Sequence, residues 1–306
     1  KSYLLCRQAI HDLEKICTQV GCKNSFTKRP SFQFASYKKD ITPLRKEYEL
    51  RKKNGISLQW LEEKDIHKKF GFRKDAGLLS ADGAEVDAYK LTHEILAKCI
   101  RGGLQVFDHT EVIAIHHQKK TVELLTETGK KIKAKKLVIA CGYESQKYIP
   151  FQVQQLQSTF AIVSEPFISK KFWFRNSLIW ETRTPYLYLR TTDDQRVLIG
   201  GKDVEMSDPY LRDKMLTAKA RALEQSFNEL FPHIPFKTDF KWAGSFASTK
   251  DGLPYIGSIR QRPHTYFALG FGGNGITFSL LAGQIIRDIL DQKKNEGADI
   301  FSFNRK

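Results

Sequence analysis

Apolar positions along the chain switch repeatedly between helical and strand spacing. Leu4, Leu5, Ile10, Leu13, Ile16 and Val20 recur at helical intervals with no clear capping residue in front of them. Phe26 to Tyr37, dense in aromatics and serine, reads as strand with turns. Thr42 to Asn54 reads as a charged amphipathic helix, opened by Thr42-Pro43 and stopped by Asn54-Gly55. Trp60 to Phe72 reads as another short helix, and Gly77 to Val86 as a hairpin. Asp87 is placed to cap a helix through about Cys99 that turns Leu91, Ile95 and Leu96 inward and ends at Gly102-Gly103. Strands are predicted at Leu104 to Phe107 and Glu111 to His117, then at Thr121 to Thr126 and Lys130 to Lys135 across a turn at Gly129. From Lys136 the chain enters a short, wholly apolar run that ends on glycine, the pattern of a buried parallel strand.

Between Gln152 and Phe240 strands dominate: Gln157 to Ser164, Ser177 to Glu181, Tyr186 to Thr191 and Arg196 to Gly200, with one helix from about Tyr210 to Phe231. This segment reads as a mainly antiparallel sheet that interrupts an α/β domain, which resumes at Trp242. There a β-rich run, Thr265 to Leu269, leads into Gly270, Gly272, Gly273 and Gly275. A long apolar helix follows, with Ile276, Leu280, Gly283, Ile286 and Leu290 on or near one face. Strand, glycine turn and helix start together present free backbone N–H groups and a positive dipole end. Gly270 to Gly275 spells G-x-G-x-x-G, but no second parallel strand follows that helix, so the letters are not a dinucleotide fingerprint. The same glycines also fit a plain packing turn under a core helix.

The 306 residues are enough for two domains, and 41% hydrophobic with 27% charged residues is a globular balance. No apolar run reaches membrane-spanning length. Five cysteines, an odd number without a C-x-x-C pair, support neither a disulfide framework nor a zinc site. A reducing, cytoplasmic setting and no bound metal are the expectation, with Cys141 read as a small buried residue. The net charge of +16 comes mostly from lysines that are scattered or in short pairs. That predicts solvated faces rather than a nucleic-acid partner.

Three motifs in this order resemble the D-amino-acid-oxidase-like FAD-dependent oxidoreductases: GAEVDAYKLTHEILAKCIRGGLQVFDHTEVIAI, KKLVIACGYES, and DGLPYIG followed by ALGFGGNGITFS. The resemblance implies an α/β fold, α+β in detail. A Rossmann-like FAD domain (residues 1–25, 87–147 and 242–306) would be interleaved with an antiparallel-sheet substrate domain (residues 26–86 and 148–241). It implies FAD as cofactor, with Val112 toward adenine and Ala140, Cys141 and Gly142 at the turn near the nucleotide. Gly272, Gly273, Asn274, Gly275 and Ile276 would lie under the flavin pyrimidine edge, and Gly252 and Pro254 in a turn beside the ring. The family's N-terminal strand, G-x-G-x-x-G turn and helix have no counterpart in this sequence. The expectation is therefore that sequence lies upstream and that this polypeptide alone binds FAD weakly.

The activity this implies is oxidation of an amine, amino acid or hydroxy acid by hydride transfer to flavin, with a small-molecule substrate and an unassigned electron acceptor. Arg190 is the candidate substrate-anchoring cation. Tyr186 and Tyr188 share its strand face, and Lys250 is a further candidate. Phe246 and Gly273 stand where the glycine-oxidase branch places arginines for a substrate carboxylate, which puts a simple α-amino acid in doubt. The alternative is a catalytically incomplete relative acting as a binding or interaction protein.

Overall fold

The computed structural model describes residues 1–168 and 172–305. In chain order the elements are α1 (Ser2–Gln19), β1 (Phe26–Phe34), α2 (Ile41–Lys53), β2 (Leu58–Glu62), α3 (Glu63–Phe70), β3 (Ala76–Val86) and α4 (Ala88–Arg101). Next come β4 (Val112–His117), β5 (Val122–Thr126), β6 (Lys131–Ala134), β7 (Leu137–Ile139), β8 (Gln155–Ser164), β9 (Leu178–Glu181) and β10 (Tyr188–Thr191). The rest are β11 (Val197–Val204), α5 (Pro209–Leu230), β12 (Thr238–Ser248), β13 (Tyr255–Ser258), β14 (Thr265–Leu269) and α6 (Gly275–Leu290). The fold is mixed α/β.

Local chemistry sets several boundaries. The Asp87 carboxylate accepts the Lys90 N–H at 3.0 Å and opens α4. Asp208 accepts from Tyr210 and Leu211 at the start of α5, with Pro209 in the first turn where its missing N–H costs nothing. Gly71, left-handed at φ 83°, ends α3.

Two compact units emerge, each made of separated stretches. The first is Lys1–Phe26, Val86–Leu156 and the chain from Phe246 on; the second is Thr27–Glu85 and Gln157–Ser245. In the first unit β14 lies between β13, antiparallel, and β7, parallel, with Thr265 opposite Leu137. Strands β4, β5 and β6 form a separate antiparallel meander. Helix α6 packs Phe278, Leu281, Ala282, Ile285 and Ile286 against Ala9 of α1, Ile256, Ala268 and Phe301. The second unit is one eight-stranded sheet, ordered β12-β8-β11-β10-β9-β1-β3-β2. The β8–β11, β11–β10, β10–β9 and β3–β2 pairs are antiparallel, and β1 runs parallel to β9. Leu223 and Phe227 of α5 join Phe32, Phe160, Ile162, Leu187, Leu189 and Ile199 in its core.

Five expectations from the sequence are corrected. Trp60 to Glu62 is strand, because Leu58–Glu62 pairs residue for residue with Ala76–Ser80; helix begins only at Glu63, where Glu63 and Asp65 fill the first turn. Gly77 to Val86 is one continuous strand, not a hairpin. A Cβ at Gly77 would lie 2.4 Å from the Phe32 ring, and one at Gly83 2.4 Å from the Arg29 carbonyl oxygen, so these glycines mark close approach to β1. Leu104 to Phe107 is irregular and exposed; among the described residues no strand pairs with it. On α6 the buried face is that of Phe278 and Ile285, while Ile276 and Leu290 are exposed. An almost continuously apolar helix lets more than one stripe be drawn. Cys141 is exposed, because β7 ends at Ile139, two residues before it.

A side chain near the end of the chain locks the turn ahead of β13. Arg305 is buried and donates two hydrogen bonds to Asp251, from Nε to Oδ2 at 2.8 Å and from Nη2 to Oδ1 at 2.9 Å. It also donates to the Leu253 and Pro254 carbonyls and lies over the Tyr255 ring. Burial alone would raise the Asp251 carboxyl; hydrogen bonds from Arg305, the Leu253 N–H and Thr249 outweigh it and hold the group below its ordinary value. A depressed folded pKa stabilises above the unfolded carboxylate range and ceases to do so as pH falls through it. Arg305→Ala is expected to cost about 1–3 kcal/mol at neutral pH, given several hydrogen bonds to a partly exposed carboxylate. Denaturant titrations at a series of pH values check this: the gap between wild type and variant is constant near neutrality and narrows below about pH 4. A gap that persists unchanged in acid would detach it from Asp251.

Candidate cofactor and substrate sites

Strand β14 ends on the buried Leu269, and the chain turns at Gly270 with φ +74°. A short 3₁₀ turn, Gly272–Asn274, then delivers the chain to α6 at Gly275. Gly272 is left-handed at φ +55°, and space is open where a Cβ would point from both Gly272 and Gly275. Asn274 makes no capping hydrogen bond, and the first turn holds no acid. Gly273, Asn274 and Ile276 are exposed. Open space thus lies beside this turn at the positive end of a 16-residue helix, while the Asn274 N–H donates to the Phe271 carbonyl at 3.3 Å. Beside the turn lies Gln154, a buried residue whose Oε1 has no hydrogen-bond partner while its Nε2 donates to the Tyr143 carbonyl. That oxygen is 3.9 Å from where a Gly270 Cβ would stand.

Because β7 and β14 are parallel neighbours, their C-terminal ends open on the same edge of the sheet. Ala140, Cys141 and Gly142 therefore emerge beside the Gly270–Gly275 turn, all three exposed, with Gly142 at φ +62° and open space around its Cβ position. The Cys141 Sγ lies 3.4 Å from the Ser145 hydroxyl. Gly252, at φ +71°, sits in a turn whose Thr249 hydroxyl donates to the Leu253 carbonyl and whose Thr249 methyl abuts Gly270. Lys250 is exposed in that same turn. Val112 starts β4 on the meander, opposite Thr126, and an irregularity between Val112 and Ala114 leaves Ile113 exposed.

The other candidates belong to the second unit. Leu187 and Leu189 enter its core, so Tyr188 and Arg190 occupy the opposite sheet face. Tyr186 precedes the strand, its ring centroid 6.1 Å from that of Tyr188. Backbone register aligns Gln33, Trp180, Tyr188, Gly200 and Ala161 in one row across β1, β9, β10, β11 and β8. The Tyr188 ring lies across Gly200, where a Cβ would come within 2.3 Å of it. Arg190 Nη1 donates to the Thr191 carbonyl at 3.3 Å and lies 3.8 Å from Glu85, a carboxylate already bound by Arg29 at 2.6 Å. The sequence reading passed over Gln154, Arg305 and Gln33, since single polar residues beside strands carry no spacing signal.

A family profile described as FAD dependent oxidoreductase matches residues 1–289, and the chain belongs to that family. It is 26% identical to a glycine oxidase of Bacillus licheniformis over 82% of this chain and 68% of that one. It is 22% identical to a probable oxidoreductase, OrdL, of Haemophilus influenzae over 74% of this chain and 56% of that one. Among solved structures, L-proline dehydrogenase from P. horikoshii superposes with a TM-score of 0.84 at 16% identity, covering 97% of this chain and 81% of the other. The chain spans about half to three quarters of the length of the curated relatives it matches.

The family's cofactor is FAD, and the residues fit an electron-rich ring system: an uncapped helix start, glycines with free space before them, and an orphaned buried amide oxygen alongside. Gly275 is a clean place to test the fit, because its backbone is helical and a side chain there meets nothing. Gly275→Asp adds a favourable charge to the helix N-terminus and an unfavourable one toward a flavin edge. The expected outcome is an unchanged or slightly raised melting temperature with FAD affinity reduced about tenfold, or ~1.4 kcal/mol, by flavin fluorescence titration. Equal affinity in the two proteins would move the ring elsewhere.

Proposed function

We propose that this chain carries the ring-facing and substrate-facing parts of an FAD-dependent oxidoreductase that oxidises an amine, amino acid or hydroxy acid. The observation that carries the reading is the uncapped start of α6 at the shared edge of two parallel strands. In this reading residues 1–25, 87–147 and 242–306 form the Rossmann-like FAD domain, and residues 26–86 and 148–241 the substrate domain. Gly252, Gly272, Gly273, Asn274, Gly275 and Ile276 serve the flavin; Val112, Ala140, Cys141 and Gly142 serve the nucleotide. When bound, FAD supplies the acceptor for a hydride from the substrate C–H beside nitrogen or oxygen. The protein orients the substrate and excludes water rather than providing a nucleophile.

Tyr186, Tyr188, Arg190 and Lys250 are the substrate-facing candidates. The names of relatives, glycine oxidase, D-amino acid dehydrogenase and gamma-glutamylputrescine oxidoreductase, support a small nitrogenous substrate. The cysteine pattern supports a reducing, cytoplasmic setting. No described helix is long and apolar enough to cross a membrane.

The test is to titrate the protein with FAD and screen amines and hydroxy acids for anaerobic bleaching of the flavin spectrum. Bleaching by an amine supports the assignment; no flavin uptake, or uptake with no bleaching by any of them, removes it in favour of a binding protein. For a substrate bearing a carboxylate, Arg190→Ala is expected to raise KM about tenfold with kcat little changed. An unaltered KM would take Arg190 out of the site.

A further inference from the structure

One carboxylate on the substrate-facing side of the second unit keeps an oxygen without an internal donor. Asp203 lies near the end of β11, inside the register shift between Gly201 and Val204. It is half-buried, and its Oδ1 is enclosed without a hydrogen-bond partner. Neighbouring Val204 packs toward the core, while Thr159 of β8 presents its hydroxyl to both Asp203 and Tyr188. Asp203 therefore belongs to the Tyr188 face. The nearest cation, Lys219 of α5, donates instead to the Lys202 carbonyl at 2.8 Å. Burial pushes the Asp203 carboxyl up, with the Thr159 hydroxyl and Lys219 charge opposing. Burial, then Asp203, pushes the Tyr186 hydroxyl up, so the carboxylate and that ring feel each other. The face thus combines an under-compensated carboxylate, two adjacent phenol rings and a glycine under one of them.

We propose that Asp203 is a specificity-determining residue that binds the protonated nitrogen of a cationic amine substrate, with the Tyr186 and Tyr188 rings flanking it. This rests on the oxidoreductase reading and narrows its substrate to the amine class. A carboxylate with an unmet acceptor and aromatic faces beside it attracts an ammonium group through charge and ring quadrupole together. A hydroxy acid offers that oxygen only a neutral hydroxyl donor and adds a second negative charge. The same carboxylate is placed to receive the ammonium proton, which must leave before carbon–hydrogen cleavage at a neutral amine.

The experiment is calorimetric titration of the full chain with n-butylamine, n-butanol and n-butyrate, matched in size and different in charge. Expected is binding of butylamine at least tenfold tighter than butanol, with Asp203→Asn abolishing the preference. Equal binding of amine and alcohol, preference for butyrate, no detectable amine binding, or a preference that survives Asp203→Asn overturns the proposal. Should the variant fail to fold, the wild type decides by pH. The charged groups acting on this carboxyl or its neighbours, Lys219, Lys202 and Arg190, are cations, and Tyr186 and Tyr188 are phenols pushed up by burial; the acid beside Arg190 is Glu85, already bound by Arg29. Amine preference must then fall as pH drops through the Asp203 carboxyl, and a flat profile overturns the assignment. A parallel FAD titration separates the two readings. Amine preference without flavin uptake keeps the site and drops the redox role; flavin uptake without amine preference does the reverse.

Discussion

The first unit is built around a helix start that no side chain of its own caps. Helix α6 starts without a side-chain cap, as do α1, α2 and α3, and Asn274, a capable capping residue, stands in the cap position unused. Leaving a start bare forgoes about 1 kcal/mol of capping. The core under the helix compensates: Phe278, Leu281, Ala282, Ile285 and Ile286 are buried against Ala9 and Phe301. Packing fixes the helix, and its first turn is left for something else to satisfy. The parallel pairing of β7 with β14 then decides where that turn emerges, beside the exposed Ala140–Gly142 turn.

Glycines fall into two physical kinds in this molecule, and the distinction separates architecture from function. Gly77, Gly83, Gly200 and Gly201 are crowded: a Cβ at each would meet a ring or a carbonyl within 2.4 Å. They let strands or tyrosine rings approach. Gly142, Gly252, Gly272 and Gly275 are open, with nothing within 4 Å of the Cβ position. Crowded glycines are explained by what they touch. Open ones are explained by positive φ, as at Gly142 and Gly252, or, for the helical Gly275, by nothing inside the chain.

The same contrast shows what could be read from the sequence. Elements punctuated by their own chemistry were legible: α4 behind Asp87, the β5–β6 turn at Gly129, and the β14–glycine–α6 unit, while α5 was legible from about Tyr210 by its apolar spacing. Elements decided by distant partners were not. Glycines inside β3 mimic a turn until Phe32 and Arg29 are seen against them. Trp60 and Leu61 suit a helix until β3 pairs with them. Leu104 to Phe107 has strand composition, but strand formation needs a neighbour, and none is present among the described residues. In the candidate site the glycine turn was visible as spacing. Gln154 and Asp203 were not, because an unmet hydrogen-bonding atom is a property of the assembled environment.

The sheet face of the second unit joins two electrostatic ends. At one, Arg29 bridges Glu85 and Asp193, and Arg190 lies 3.8 Å from Glu85, so the cations there have acids beside them. At the other, Asp203 keeps an acceptor without a donor. Between them runs the registered row from Gln33, whose Oε1 is likewise buried and unmet, through Trp180 and Tyr188 to Gly200. A sheet face built for stability alone would place apolar residues there, as the opposite face does with Leu187, Leu189 and Ile199. Each unmet buried polar atom costs on the order of 1–3 kcal/mol. Two on one face are a cost that a ligand from outside the chain would offset. A zwitterionic amine can reach an anionic and a cationic group at once and a cationic amine the anionic one, whereas an uncharged alcohol can satisfy neither by charge. The asymmetry of the face, more than any one residue on it, is the physical reason to look for nitrogen in the substrate.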